Sequence, residues 1–113
     1  MEKYSEDRPW GHFEQFCHNE LCTVKIITVD PNQELSLQYH NHRDEFWRVI
    51  SGNGKIVKGD DTIDAKEGDE FFIPCKTKHR MVTNDSTMKV LEISFGEFDE
   101  NDIVRLEDKY NRI

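Results

Sequence analysis

ELSLQYHNHRDEFW, residues 34 to 47, is the stretch on which the fold turns. In its first half Ser36, Gln38, His40 and His42 alternate with Leu35, Leu37, Tyr39 and Asn41. Successive side chains of a strand point to opposite faces, so the polar set shares one face. A bend over Asn41 to Asp44 restarts the count, and period two then groups Arg43, Glu45 and Trp47. In a small barrel such a polar face can be the interior one. His79, at the start of a later strand, can lie across from Gln38 and His40 if the two strands are antiparallel neighbours.

Outward from this stretch the same period recurs in both directions. Residues 12 to 17, 21 to 29, 45 to 51, 55 to 59, 62 to 66, 70 to 74, 79 to 83 and 88 to 95 all read as short strands. Between them stand the Gly, Asn and Asp clusters that tight hairpins require, such as Ser51-Gly52-Asn53-Gly54 and Glu67-Gly68-Asp69. No segment before residue 99 keeps a helical spacing over ten residues, which makes crossover helices and a parallel sheet a poor fit. The expected fold is an all-β meander of antiparallel strands, closed as a barrel or a two-sheet jelly roll. At most one short helix fits, near the end: DENDIVRLEDKY, residues 99 to 110, could form one or two helical turns with Ile103, Leu106 and Tyr110 on one side.

A chain of 113 residues suits one domain, 1–113, with a single core. Hydrophobic residues make up 35% and charged residues 34%, but seven Phe, three Tyr and two Trp supply enough buried area to favour folding over disorder. The longest apolar run is Phe71-Phe72-Ile73, and the N-terminus MEKYSEDRPW has no apolar stretch behind a basic end. A cytoplasmic protein with no membrane partner is therefore expected. The net charge of −8 has the wrong sign for nucleic acid, and an anionic substrate needs a local basic pocket. The acidic run from Glu97 to Asp108 reads as a solvated surface, and Cys17, Cys22 and Cys75 as reduced structural thiols. Leu35, Leu37 and Tyr39, opposite the polar face, form an apolar surface whose cover is expected from a homodimer.

Gln38, His40, His42, Glu45 and His79 are thus the candidate site on local chemistry. Imidazole, carboxylate and amide oxygen suit a divalent transition ion without selecting among Zn, Fe, Mn, Co and Ni. Their framing is also familiar. In the cupin superfamily a first motif runs Gly, five residues, His, one residue, His, three or four residues, Glu, six residues, Gly. Here Gly52 lies six residues beyond Glu45, which follows His40 by four, with Gln38 in the first ligand place and Asn32 in that of the leading Gly. The second motif resembles Gly68 to Pro74, then His79 and Asn84.

A Gln in the first ligand place, within LSLQYHNHRDEFW, resembles the type II phosphomannose isomerase cupins, as do RPWG at 8 to 11 and DIVRLEDKYNR at 102 to 112. Asn32, Cys75-Lys76 and Asn111 stand where that family usually has glycine. The family's domain commonly follows a nucleotidyltransferase domain, so the resemblance implies a standalone version. It also implies a double-stranded β-helix fold and one divalent metal, zinc first, held by Gln38, His40, Glu45 and His79. Arg43 would serve the substrate and His42 would be the first candidate base. The implied activity is a metal-dependent phosphosugar isomerase of the mannose 6-phosphate type, working through an enediol. The competing expectation is a non-catalytic metal-binding cupin for a sugar or sugar nucleotide. A cupin dioxygenase is disfavoured by the Gln, since oxygen-activating sites favour His and carboxylate ligands.

Overall fold

The computed structural model describes residues 1–112, and among them every regular element is a strand. In chain order these are β1 (Tyr4–Arg8), β2 (Gly11–Gln15), β3 (Cys22–Val29), β4 (Leu37–Tyr39), β5 (Glu45–Ser51), β6 (Asn53–Lys58), β7 (Asp61–Lys66), β8 (Glu70–Ile73), β9 (His79–Val82), β10 (Met88–Phe95) and β11 (Val104–Glu107). One antiparallel sheet runs β3-β10-β5-β8 and a second β11-β4-β9-β6-β7. The antiparallel all-β jelly roll is as expected, and only the consecutive, meander order of its strands is corrected. Sequence neighbours such as β4 and β5 lie in different sheets, so the chain crosses back and forth in a jelly roll and encloses one core.

The short C-terminal helix that the sequence allows over 99 to 110 is not formed. Val104–Glu107 pairs antiparallel with β4, setting Val104 opposite Tyr39 and Arg105 opposite Gln38. Such a short segment gains more from completing a sheet edge than from an isolated turn of helix, whose nucleation is unfavourable. No helix of the described residues is long and apolar enough to cross a membrane.

Between the sheets pack Val29, Trp47, Val49, Ile56, Ala65, Ile73, Met81, Met88 and Val90. Leu35 packs against this cluster, so the apolar face opposite the polar one is partly covered within the chain. The β5–β6 turn shows how tightly the layers close. Gly52 has φ 78°, and a Cβ there would sit 1.9 Å from the carbonyl oxygen of Thr87, so no other residue fits. The β1–β2 hairpin, turned by the RPWG segment, docks through Phe16 stacked on Phe46 at 5.1 Å and through ion pairs of Lys3 and Arg48 with Glu14 and Glu70.

Candidate metal centre

His40 follows β4, Glu45 opens β5 and His79 opens β9, so the two sheets deliver their side chains to one point inside the barrel. All three are buried, and one donor atom from each lies within 4.8 Å of the others. Nε2 of His40 is 3.5 Å from Glu45 Oε2, and Nε2 of His79 is 3.7 Å from Glu45 Oε1.

The backbone fixes which imidazole nitrogen faces the centre. Nδ1 of His40 lies 2.6 Å from the carbonyl of Asp102, and Nδ1 of His79 lies 2.8 Å from that of Thr77. A carbonyl only accepts, so each Nδ1 carries a proton and each Nε2 is the ring nitrogen turned toward Glu45. Burial pushes His79 below the ordinary imidazole pKa, against the Thr77 hydrogen bond and the charge of Glu45, and so keeps the ring neutral. Its Nε2 is buried and has no hydrogen-bond partner among the described residues. Two imidazoles and a carboxylate whose donor atoms converge, His79 Nε2 among them otherwise unsatisfied, fit a divalent transition ion.

The remaining valences of Glu45 are taken up locally. Trp47 Nε1 donates to Oε1 at 3.1 Å and Arg43 Nε to Oε2 at 3.0 Å, which confirms the shared face of Arg43, Glu45 and Trp47. The Arg43 guanidinium also comes within 3.3 Å of His40 Nε2. Gln38 stands opposite His79 in the β4–β9 pairing, with its Oε1 accepting from Ser36 Oγ at 3.0 Å. His42 is placed apart. It is exposed, and its backbone N–H, not its ring, is the group tied down.

Three buried or anchoring residues escaped the sequence reading. Glu92 on β10 is 7% exposed, and Ser94 Oγ lies between it and Glu45, 3.5 Å from one carboxylate and 3.4 Å from the other. Burial and the charge of Glu45 push the Glu92 pKa up to about 7, against Arg43, Lys25 and Ser94. The signal was present: Met88, Val90, Glu92 and Ser94 fall in phase on the buried face of β10. The third is Asp102, which corrects the reading of the whole acidic run as solvated surface. Its carboxylate accepts the N–H groups of Asn41 and His42 at 2.8 and 3.0 Å, and these hold its pKa below the usual carboxylate range despite the opposing effect of burial. With its carbonyl on His40, this one residue orients both the ligand ring and the loop that follows it.

The profile of the family described as mannose-6-phosphate isomerase C-terminal matches residues 2–108. This chain belongs to that family. It is 37% identical over 107 residues to the xanthan biosynthesis protein XanB of Xanthomonas campestris, covering 93% of this chain and 23% of XanB. Against the alginate biosynthesis protein AlgA of Pseudomonas aeruginosa the identity is 37%, covering 93% and 22%. Against the mannose-1-phosphate guanylyltransferase RfbM of Salmonella typhimurium it is 36%, covering 90% and 22%. The chain thus spans under a quarter of these relatives. Among solved structures, a cupin 2 conserved barrel domain protein from Rhodopseudomonas palustris superposes with TM-score 0.66 at 24% identity, over 76% of this chain and 60% of that one. The capsular polysaccharide assembling protein CapF of Staphylococcus aureus gives 0.67 at 21%, over 95% and 33%. The fold is therefore the cupin barrel.

At the three positions where the resemblance leads one to expect glycine, the backbone takes the conformation glycine would give. Asn32, Asn111 and Lys76 have φ of 58°, 59° and 65°. Asn adopts this region at little cost, whereas Lys does not. Lys76 is held there by donating its N–H to the His40 carbonyl at 2.6 Å, so the strained turn also ties down the backbone of His40.

Proposed function

We propose that this domain isomerises a phosphosugar of the mannose 6-phosphate type between aldose and ketose with the aid of one divalent metal ion. The observation that carries this reading is the pairing of two environments. A set of two imidazoles and a carboxylate, His40, His79 and Glu45, lies beside a second buried carboxylate, Glu92, that titrates near neutrality. When bound, the ion would supply Lewis-acid stabilisation of the oxyanion at C1 or C2. Gln38 and the three residues of the cluster would hold it, with zinc the first candidate and Mn, Fe, Co or Ni the alternatives.

The chain's own groups do the rest. An enediol route needs a base that takes a proton from one carbon and returns it to the next, and a carboxyl with pKa near 7 exchanges protons in both directions at neutral pH. Glu92 fits that role better than exposed His42. Arg43, hydrogen-bonded to Glu45, brings a fixed positive charge to the place where enediolate charge develops. The test is an isomerisation assay on hexose and pentose phosphates with the metal-reconstituted protein. Glu92→Gln and Arg43→Ala should each keep the metal and lower turnover at least about a hundredfold, the scale of losing one preorganised group. No turnover with any of these metals and sugars would overturn the reading.

The names of the relatives favour one second reading. RfbM is a mannose-1-phosphate guanylyltransferase, and this domain corresponds to under a quarter of it, which is consistent with a non-catalytic module that binds a sugar or sugar nucleotide. A metal-loaded protein that binds the sugar phosphate without converting it would support that alternative. We also propose a homodimer. β3 is an unpaired edge that exposes Val24 and Ile26 beside Leu21, and a second copy would cover it.

A further inference from the structure

The β3 and β11 strands are edges of their respective sheets, and the connection that follows β10 spans the opening between them. There a cavity of about 250 Å³ is lined by Lys25 of β3, Arg43, Arg105 of β11, and Phe98, Glu100 and Ile103 of the connection. Three cations converge on this small space in a chain of net charge −8. The Lys25 ammonium lies 4.2 Å from the Phe98 ring centroid and the Arg43 guanidinium 4.6 Å from the same ring. Two like charges held on one ring repel each other. Neither Lys25 nor Arg105 has an ion-pair partner among the described residues. Nε of Arg105 is buried with no hydrogen-bond partner among them. A buried donor left unsatisfied is costly, and here it sits among other cations.

We infer that Lys25, Arg43 and Arg105 form a binding site for a phosphoryl dianion, with Phe98 as its floor. A phosphate offers enough acceptors to satisfy Arg105 Nε and both neighbours at once, and planar guanidinium groups suit its geometry. Arg43 links the two halves of the opening, since the same guanidinium reaches Glu45 and His40. A sugar whose phosphate lies in this cavity therefore has its other end directed toward the metal centre. Glu100 is the one acid at the rim and works against the anion. That the anion belongs to a phosphosugar rests on the function proposed above. The site itself does not depend on turnover.

The experiment is calorimetric or NMR titration of the full, metal-loaded chain with inorganic phosphate, mannose 6-phosphate, a nucleoside diphosphate sugar and uncharged mannose. Arg105→Gln and Lys25→Gln should each weaken mannose 6-phosphate binding about tenfold or more, the worth of one charge-assisted hydrogen bond, while metal content stays at wild-type level. Glu100→Gln should tighten binding. Mannose affinity should be the same in all variants. If the nucleoside diphosphate sugar binds most tightly and loses affinity in the same variants, the phosphoryl source is a sugar nucleotide and the site stands. If Arg105→Gln and Lys25→Gln, both folded by circular dichroism, bind mannose 6-phosphate as the wild type does, the site is refuted. In that event, a wild type that still isomerises keeps the proposed function. Conversely, loss of binding in both variants of a protein that never turns over refutes the isomerase and leaves the anion site.

Discussion

Glu92→Gln should make the metal-free protein more stable, and the gain should depend on pH. In the folded state burial and the neighbouring Glu45 raise the Glu92 pKa to about 7, against 4.5 for a free side chain. Below about pH 4.5 the group is protonated in both states and adds no penalty. Between there and about pH 7 the unfolded chain gives up its proton while the folded chain keeps it, so stability falls as pH rises, and the penalty is complete above pH 7. Each pH unit of difference is worth about 1.4 kcal/mol, so the full penalty is about 3 kcal/mol at most. Gln has the same shape and no charge, so the variant escapes it. Urea melts of wild type and variant at pH 5 and pH 8, in the presence of a chelator, isolate the effect, because titrations common to both proteins cancel. The variant's advantage should grow by ~2–3 kcal/mol across that range. An advantage that is constant from pH 5 to pH 8 would show that Glu92 is not a buried, destabilised carboxylate and would remove it as the candidate base.

Further outcomes follow from the same geometry. His40→Ala and His79→Ala should each abolish stoichiometric binding of a divalent metal, checked by elemental analysis; full occupancy in both would mean that the cluster is only structural. Asp102→Ala, which leaves the carbonyl on His40 but frees the N–H groups of Asn41 and His42, should lower metal affinity about tenfold or more without unfolding the barrel, as read in a competition titration with a chromogenic chelator. Lys76→Gly should stabilise the protein by about 1 kcal/mol in a urea melt, since Gly relieves the left-handed backbone at the cost of a more flexible unfolded chain.

Much of the barrel was legible because period two survives wherever one face of a strand is buried. Residues 88 to 95 carry this pattern in full, and β10 spans the same residues. The two strands that were missed lack it for different reasons. Tyr4–Arg8 has no apolar alternation at all, and what holds it is pairing with β2 in a hairpin anchored by ion pairs. Val104–Glu107 carries a misleading three-and-four spacing, and its partner is β4, far away in sequence. Within the site, the spacing of the resembled motifs singled out Gln38, His40, Glu45 and His79, and the structure brings donor atoms of the last three to one point. Asp102 gave no such signal. In an acidic run it looks like its exposed neighbours, and only the tertiary approach of the 40–42 loop gives its carboxylate two donors.

The placement of charge around the centre bears on why the fold tolerates it. Glu45 and Glu92 are both buried and share one bridging hydroxyl, an arrangement that opposes folding as long as both are ionised. Arg43 offsets one of the two charges directly. Lys25 stands opposite Glu92 in the β10–β3 register, but its ammonium lies over Phe98, in the cavity of Arg43 and Arg105. The interior thus holds two buried carboxylates with one cation between them, and the opening holds two cations without an ion pair among the described residues, Lys25 and Arg105, beside Phe98. A divalent cation inside and a phosphoryl dianion at the opening would relieve both. Ligands that bind the folded state alone stabilise it by mass action, so a barrel strained at these two places gains most when it holds both.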